Sequence, residues 1–275
     1  MNILVLTDFS KPSEAGVSLA MDMMKNHGAS ITIFHCLSEE TSVDFQFGPN
    51  YKIKLDDTSN SDAPDWLKKW NDYAVTMGQN IRFHISGGSL VKSVESYCNQ
   101  HKVDLIIMGS SGKNKAKTWG SNTQDMVAHI HHPLLIVKSK PISTTFNKVV
   151  FASAFIEKDK KSFLIFKDLI PLPDDAEIHL LCIDKESFFS QPTPLIQEVM
   201  NDFVHLSRPY FTKKHFYQDF NVKSGIRHFS EELSPDLIVM SNSMKKKFRH
   251  LIFGNDAVNI AYDSEYPVLI INYPG

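Results

Sequence analysis

The chain has 275 residues, 42% of them hydrophobic and 22% charged, with a formal net charge of -2. A balance this close to zero excludes a general electrostatic attraction to nucleic acid or to an anionic membrane. The length suits two domains of about 100–150 residues, each able to bury its own core.

No apolar run approaches the roughly 18 residues of a membrane-spanning helix. The opening MNILVLTDFS runs straight into an apolar strand, without the basic stretch and long apolar segment of a signal peptide. Cys36, Cys98 and Cys182 are an odd count with no CxxC spacing, so neither a disulfide framework nor structural zinc is expected. These features together predict a cytoplasmic protein in a reducing compartment.

ILVL (3–6) is a continuous apolar run, as in a parallel strand buried on both faces. Ser10, Pro12 and Glu14 then signal a helix start, with Ser10 as capping hydroxyl, and Gly28 marks its end. ITIFHCL (31–37) is the second strand. The polar segment Ser38–Asp65 reads as a long surface excursion, followed by a helix at Trp66–Met77. IRFHIS (81–86) is the third strand, and after two glycines a helix runs over Leu90–Gln100. VDLIIMG (103–109) and PLLIVK (133–138) are the fourth and fifth strands, with a helix over Ser121–Ile130 between them. Alternation of apolar strands with helices implies a parallel sheet covered on both sides.

The pattern then repeats. NILVLTDF (2–9) returns as KVVFASAF (148–155), ITIFHCL (31–37) as EIHLLCI (177–183), VDLIIMG (103–109) as PDLIVMS (235–241), and HPLLIVK (132–138) as YPVLIIN (266–272). This pairing makes Cys36 and Cys182 equivalent. A helix over Leu195–Leu206 follows the shorter segment Lys185–Pro194. A repeat this long is a duplicated domain rather than a solenoid unit. The expected fold is α/β, with two tandem five-stranded parallel sheets sandwiched by helices, over 1–142 and 143–275. The two short, apolar fifth strands would each be a liability as an open edge, and pairing them with each other covers both.

Strand four runs into GSSGKNKAKTWGSNT (109–123). Glycines at a strand's carboxyl end, followed by a helix start, are the parts of a phosphate cradle: backbone N–H groups approach an anion unobstructed, and the helix end adds positive dipole. Lys113, Lys115 and Lys117 place cations in the same loop. Taken alone, the loop reads equally as a solvated turn. Asp8 ends strand one at the sheet's carboxyl edge, where open α/β sheets bind ligands. It is placed either to accept from a ribose or base, or to cap the helix that follows.

ILVLTDFS, IFHC, and MGSSGK…GSNT followed by HHPLLIV resemble the universal stress protein (UspA-like) family, once per half. The resemblance implies the adenine-nucleotide alpha hydrolase-like fold, an intrachain version of the family's dimer, and ATP, with Mg2+, as ligand. It places adenosine at Leu6, Thr7 and Asp8 and at the backbone near Cys36. It places the phosphates at Gly109, Gly112, Gly120 and Ser121, and Met108, Lys113 and Asn122 complete the expected nucleotide-binding set. Between Gly112 and Gly120 the chain has seven residues where the family motif has nine. In the second half Ser241 and Met244 replace the first two glycines, Ala154 replaces the acid, and Asp256 brings a negative charge near the phosphate position, so one nucleotide per chain is expected. No Ser–His–Asp or paired-carboxylate constellation appears, and no metal-ligand spacing surrounds His131 and His132. The reading is a nucleotide-binding stress-response protein that signals to a protein partner. A nucleotide-free scaffold and a slow ATPase are the alternatives.

Overall fold

A computed structural model of the chain describes residues 1–37, 42–46, 81–110, 121–138, 145–185, 193–243, 259–260 and 263–273. The first half contains β1 (Asn2–Thr7), α1 (Lys11–His27), β2 (Ser30–Leu37), β3 (Ser42–Gln46), β4 (Arg82–Gly87), α2 (Leu90–Gln100), β5 (Leu105–Gly109), α3 (Ser121–His129) and β6 (Leu134–Val137). The second contains β7 (Lys148–Ala152), α4 (Asp159–Leu169), β8 (Glu177–Lys185), α5 (Thr193–Ser207), β9 (Phe211–Asp219), α6 (Val222–Leu233), β10 (Leu237–Ser243) and β11 (Val268–Tyr273).

The eleven described strands form one sheet, in the order β3-β4-β2-β1-β5-β6-β11-β10-β7-β8-β9. Within each half the five core strands are parallel and follow the same order. The halves meet through their fifth strands, as the exposed-edge argument requires. β6 and β11 pair antiparallel, Leu135 opposite Leu269, with Leu134 and Ile136 opposite Ile270 and Val268. Polar contacts flank this seam. Asn272 Nδ2 donates to the Ile130 carbonyl at 2.5 Å. Lys138 is buried, which pushes its pKa down to about 8 against the opposing pull of Asp263. Both apolar layers run across the junction: Val137 and Phe146 join Ile271 on one face, and Ile136 joins Ile270 on the other.

Three expectations change. The excursion after β2 contains β3, which pairs antiparallel with the outer strand β4, Asp44 opposite His84. The alternation in SVDFQ is the signal for it, diluted by the polar sequence around it. Ser10 occupies the N-cap position of α1, but its hydroxyl makes no capping bond. Cys36 and Cys182 are not equivalent. β1 sets Asn2 beside Ser30 and β7 sets Lys148 beside Glu177, so Cys36 corresponds to Ile183 and Cys182 to His35. A one-residue slip reverses faces, and the two thiols indeed join opposite layers. The boundary at 142/143 and the helix at Trp66–Met77 lie outside the described residues.

The second half holds a histidine pair, His179 buried and His215 half-buried. His179 Nδ1 lies 3.0 Å from His215 Nε2, and His179 Nε2 lies 3.2 Å from Glu177, which also accepts from Lys213 at 3.1 Å. Burial pushes both imidazole pKa values down, His215 to about 4, with the neighbouring histidine and Lys213 adding to it. The unfolded chain takes up these protons below about pH 6.5, whereas the folded chain resists until lower pH. The stability from this pair is therefore complete above about pH 6.5 and is lost as pH falls toward about 4. Urea titrations across that interval should show stability falling with pH, and His215→Phe should reduce the slope. An unchanged slope would contradict the assignment.

Candidate functional site

Parallel strands leave their carboxyl ends on one edge, and the crevice above β1, β2 and β5 opens there. The turn from β1 into α1 is held by its own side chains. Thr7 Oγ1 donates to Ser13 Oγ at 3.1 Å and accepts from the Phe9 amide at 3.0 Å. Phe9 thereby adopts φ 61°, a left-handed conformation unusual for a bulky residue. Its ring packs on His35, with centroids 4.6 Å apart. Asp8 projects from this turn, and its Oδ1 accepts from the Ser10 amide at 3.0 Å and the Ser10 hydroxyl at 2.5 Å. Partial burial works against the carboxylate, but these bonds and one from Ser13 outweigh it and hold its pKa below the usual value. Asp8 is thus an anion at neutral pH that also fixes the turn ahead of the helix.

A cavity of about 290 Å³ lies over this turn. Leu6, Thr7, Asp8, Cys36, Met108, Gly109 and Asn122 all line it, so seven of the eleven expected residues come together from β1, β2, β5 and α3. Ser121 begins α3; Gly112, Lys113 and Gly120 lie outside the described residues. Sequence reasoning missed Ser13, Phe34, Leu37, Gly88 and Leu90. The glycine pair after β4 was the available signal for Gly88, whose φ of 97° is closed to most side chains. Phe34, Leu37 and Leu90 carried only core-like signals. The Cys36 thiol donates to the Gly88 carbonyl at 3.4 Å and lies 3.9 Å from Ser93 Oγ. Burial pushes its pKa up, so it is a neutral wall of the cavity. The result is an apolar slot with a polar rim of Asp8, Ser13 and Asn122.

Gly109 has a structural reason to be glycine. A Cβ there would stand 2.3 Å from the Pro12 carbonyl carbon and 2.4 Å from the Ser13 nitrogen. The bare backbone lets α1 begin directly against β5, which sets the width of the cavity. This packing reason is independent of the phosphate contact that the family resemblance implies for Gly109.

The second half keeps the turn and fills the site. Phe155 repeats the positive φ at 54°, and its amide donates to Ser153 Oγ at 2.9 Å. Asp159 takes the place of Ser13 and is fully buried. Its carboxylate accepts from Ser153 at 2.5 Å, the Ile156 amide at 3.2 Å and Ser241, the counterpart of Gly109, at 2.7 Å. Ile183 stands where Cys36 stands, pressed so close that a Cβ on Gly225 would meet it at 2.8 Å. Ala154 replaces Asp8. Met244 and Asp256 lie outside the described residues.

A larger cavity of about 370 Å³ lies between α6 and residues 260 and 263–266. It sits beside Ile238, at the amino end of β10, and its Lys223 and Asp263 are already ion-paired. The smaller cavity is the stronger candidate, because it stands at the strand carboxyl ends. Among the described residues, no group of three or more His, Cys, Asp or Glu is placed to hold a metal ion. No described helix is long and apolar enough to cross a membrane.

Gly109→Val should lower the unfolding free energy by about 1–3 kcal/mol, the usual range for an overpacked core. Ser241→Ala should cost about 1–3 kcal/mol by leaving Asp159 short of a donor in a buried place. Denaturant unfolding measures both. A neutral Gly109→Val would remove the close-packing account.

Comparison with known proteins fits this architecture. The model of the universal stress protein family matches residues 1–138. A Staphylococcus haemolyticus protein carried as a candidate universal stress protein is 26% identical over 158 residues, covering 56% of this chain and 94% of its own length. A universal stress protein structure from Archaeoglobus fulgidus superposes with TM-score 0.65 at 16% identity, covering 98% of each chain. One from Pseudomonas aeruginosa gives 0.64 at 12% identity, over 98% of this chain and 92% of its own. These two likenesses establish the fold across both halves. The chain belongs to the universal stress protein family.

Proposed function

We propose that the first half, residues 1–142, binds one adenine nucleotide, and that the second half, residues 143–275, binds none. The observation that carries this reading is the asymmetry of the two crevices. The same turn and strand order frame a cavity in one half and a filled, acid-bearing core in the other. The cavity is near the lower end of the ~300–1,000 Å³ typical of small-molecule sites, which suits a nucleoside-sized body. Leu6, Phe34, Leu90 and Met108 would hold the adenine, and the Asp8 carboxylate would accept from the ribose. The phosphates would lie toward the start of α3 at Ser121 and Asn122, where unpaired helix N–H groups favour an anion. Gly112, Lys113 and Gly120 would complete that cradle, with Mg2+ accompanying ATP as counter-ion.

Of the polar groups lining the crevice, Thr7, Asp8 and Ser13 are engaged in the hydrogen bonds of the turn, and the Cys36 thiol is held neutral. The proposed role is accordingly sensing or signalling in a stress response, with a protein partner reading which state of the crevice nucleotide favours. Calorimetry on the full chain should give one ATP bound per chain. Cys36→Phe, which fills the slot from the β2 side, should weaken binding at least tenfold, about 1.4 kcal/mol. No heat at millimolar ATP would favour a nucleotide-free scaffold. Two bound nucleotides would contradict the filled second crevice.

A further inference from the structure

The two ends of the sheet are finished differently. In the first half the outer parallel strand β4 is covered by β3, antiparallel, over Arg82–Ser86. The corresponding outer strand of the second half is β9. It pairs with β8 along all nine of its residues, and among the described strands it ends the sheet. The interval between β8 and β9 is 186–210 and contains α5, whereas the interval between β2 and β4 is 38–81 and contains β3.

Apolar surface gathers at this uncovered end. The described residues include five exposed large hydrophobic side chains, all in the second half. Phe211, Phe216 and Phe220 lie on β9 or just beyond it, at 61%, 37% and 89% exposure. Leu195 lies on α5, the helix packed against β9. Ser207 meets Thr212 at 2.6 Å and Asn201 meets Lys214 at 2.6 Å. Helix and strand therefore run antiparallel, and Phe216 comes level with the first turns of α5, where Leu195 is exposed. Lysines on an edge strand usually guard it against pairing. Here both are drawn onto their own chain: Lys213 to Glu177 and over the Phe211 ring, Lys214 to Asn201.

We propose that β9 is the contact through which two copies of this chain associate, antiparallel and edge to edge about a two-fold axis at His215. The first half supplies the template for the register. His84 and His215 hold the same place: each pairs with the second strand of its half, and each meets an aromatic of the following helix, Tyr97 at 4.7 Å and Phe229 at 4.8 Å. β3 pairs with β4 symmetrically about His84. A second β9 seated in the same way sets Lys214 opposite Phe216 and Lys213 opposite Tyr217. A shift that placed Lys214 opposite its own copy would be unfavourable, because directly opposed like charges destabilise a sheet. The association is isologous and closes after two chains, burying Phe216 and Leu195 at the margin of an extended sheet.

Sedimentation equilibrium of the full chain over a concentration series tests this, with hydrogen exchange at the two ends of the series. A monomer–dimer equilibrium is expected, with β9 amides protected more strongly at high concentration. Phe216→Lys, which sets a second cation directly opposite Lys214 of the other copy, should weaken the dimer at least tenfold. If circular dichroism shows that variant unfolded, the more exposed Leu195→Glu carries the same expectation. A monomer up to millimolar chain would overturn the proposal. So would a dimer whose β9 amide exchange does not depend on concentration.

Discussion

The antiparallel pairing of β6 with β11 is the constraint on which the rest of the molecule depends. Each is the fifth strand of its own parallel sheet, and among the described residues neither half offers another strand to cover it. An open apolar edge is an invitation to pair, and the chain meets it by pairing the edges with each other. Two five-stranded sheets become one continuous sheet, and both apolar layers run through the seam. The halves are thereby held in a fixed mutual orientation, with Asn272 and Lys138 reaching polar partners across the junction.

Within that frame, duplication has allowed one crevice to stay open while the other closed. The β1–α1 turn and the β7–α4 turn share their hydroxyl-to-amide bond and their left-handed phenylalanine. What differs is the volume and charge placed on top of them. Glycine at 109 lets α1 start against β5, and a small thiol at 36 leaves room beside Ser93. Serine at 241 instead reaches for a buried aspartate, and isoleucine at 183 crowds the next helix. The closed crevice is a hydrogen-bonded core. Its divergence has put buried hydrogen bonds and a larger side chain where the first half has glycine and a thiol.

The outer edges of the sheet diverge in the same spirit. The long segment after β2 provides β3 as a cover for β4; the short segment after β8 leads directly toward α5. A fold that needs both ends managed has one end managed from within the chain. The exposed phenylalanines of β9 lie at the other, so surface and sequence length tell the same story.

Much of this was written in the residues. The period of apolar runs gave the strands, the Gly28 stop gave the end of α1, and the four matching segments gave two halves with equal strand order. The fifth strands were legible as partners because short apolar edges cannot be left bare. Sequence also brought Leu6, Asp8, Cys36 and Met108 to one crevice, because strand ends in a parallel sheet share an edge. Other features depended on contacts that no pattern encodes. The equivalence of Cys36 with Ile183, rather than with Cys182, is a matter of register, and a slip of one residue moves a side chain through the sheet. The role of Gly109 depends on a helix that begins nearly a hundred residues earlier. β3 was hidden because its alternation is short, and only the open edge of β4 gives it a reason to form. Local sequence determined which elements exist; the tertiary structure decided what each side chain meets, because that depends on distances between segments far apart in the chain.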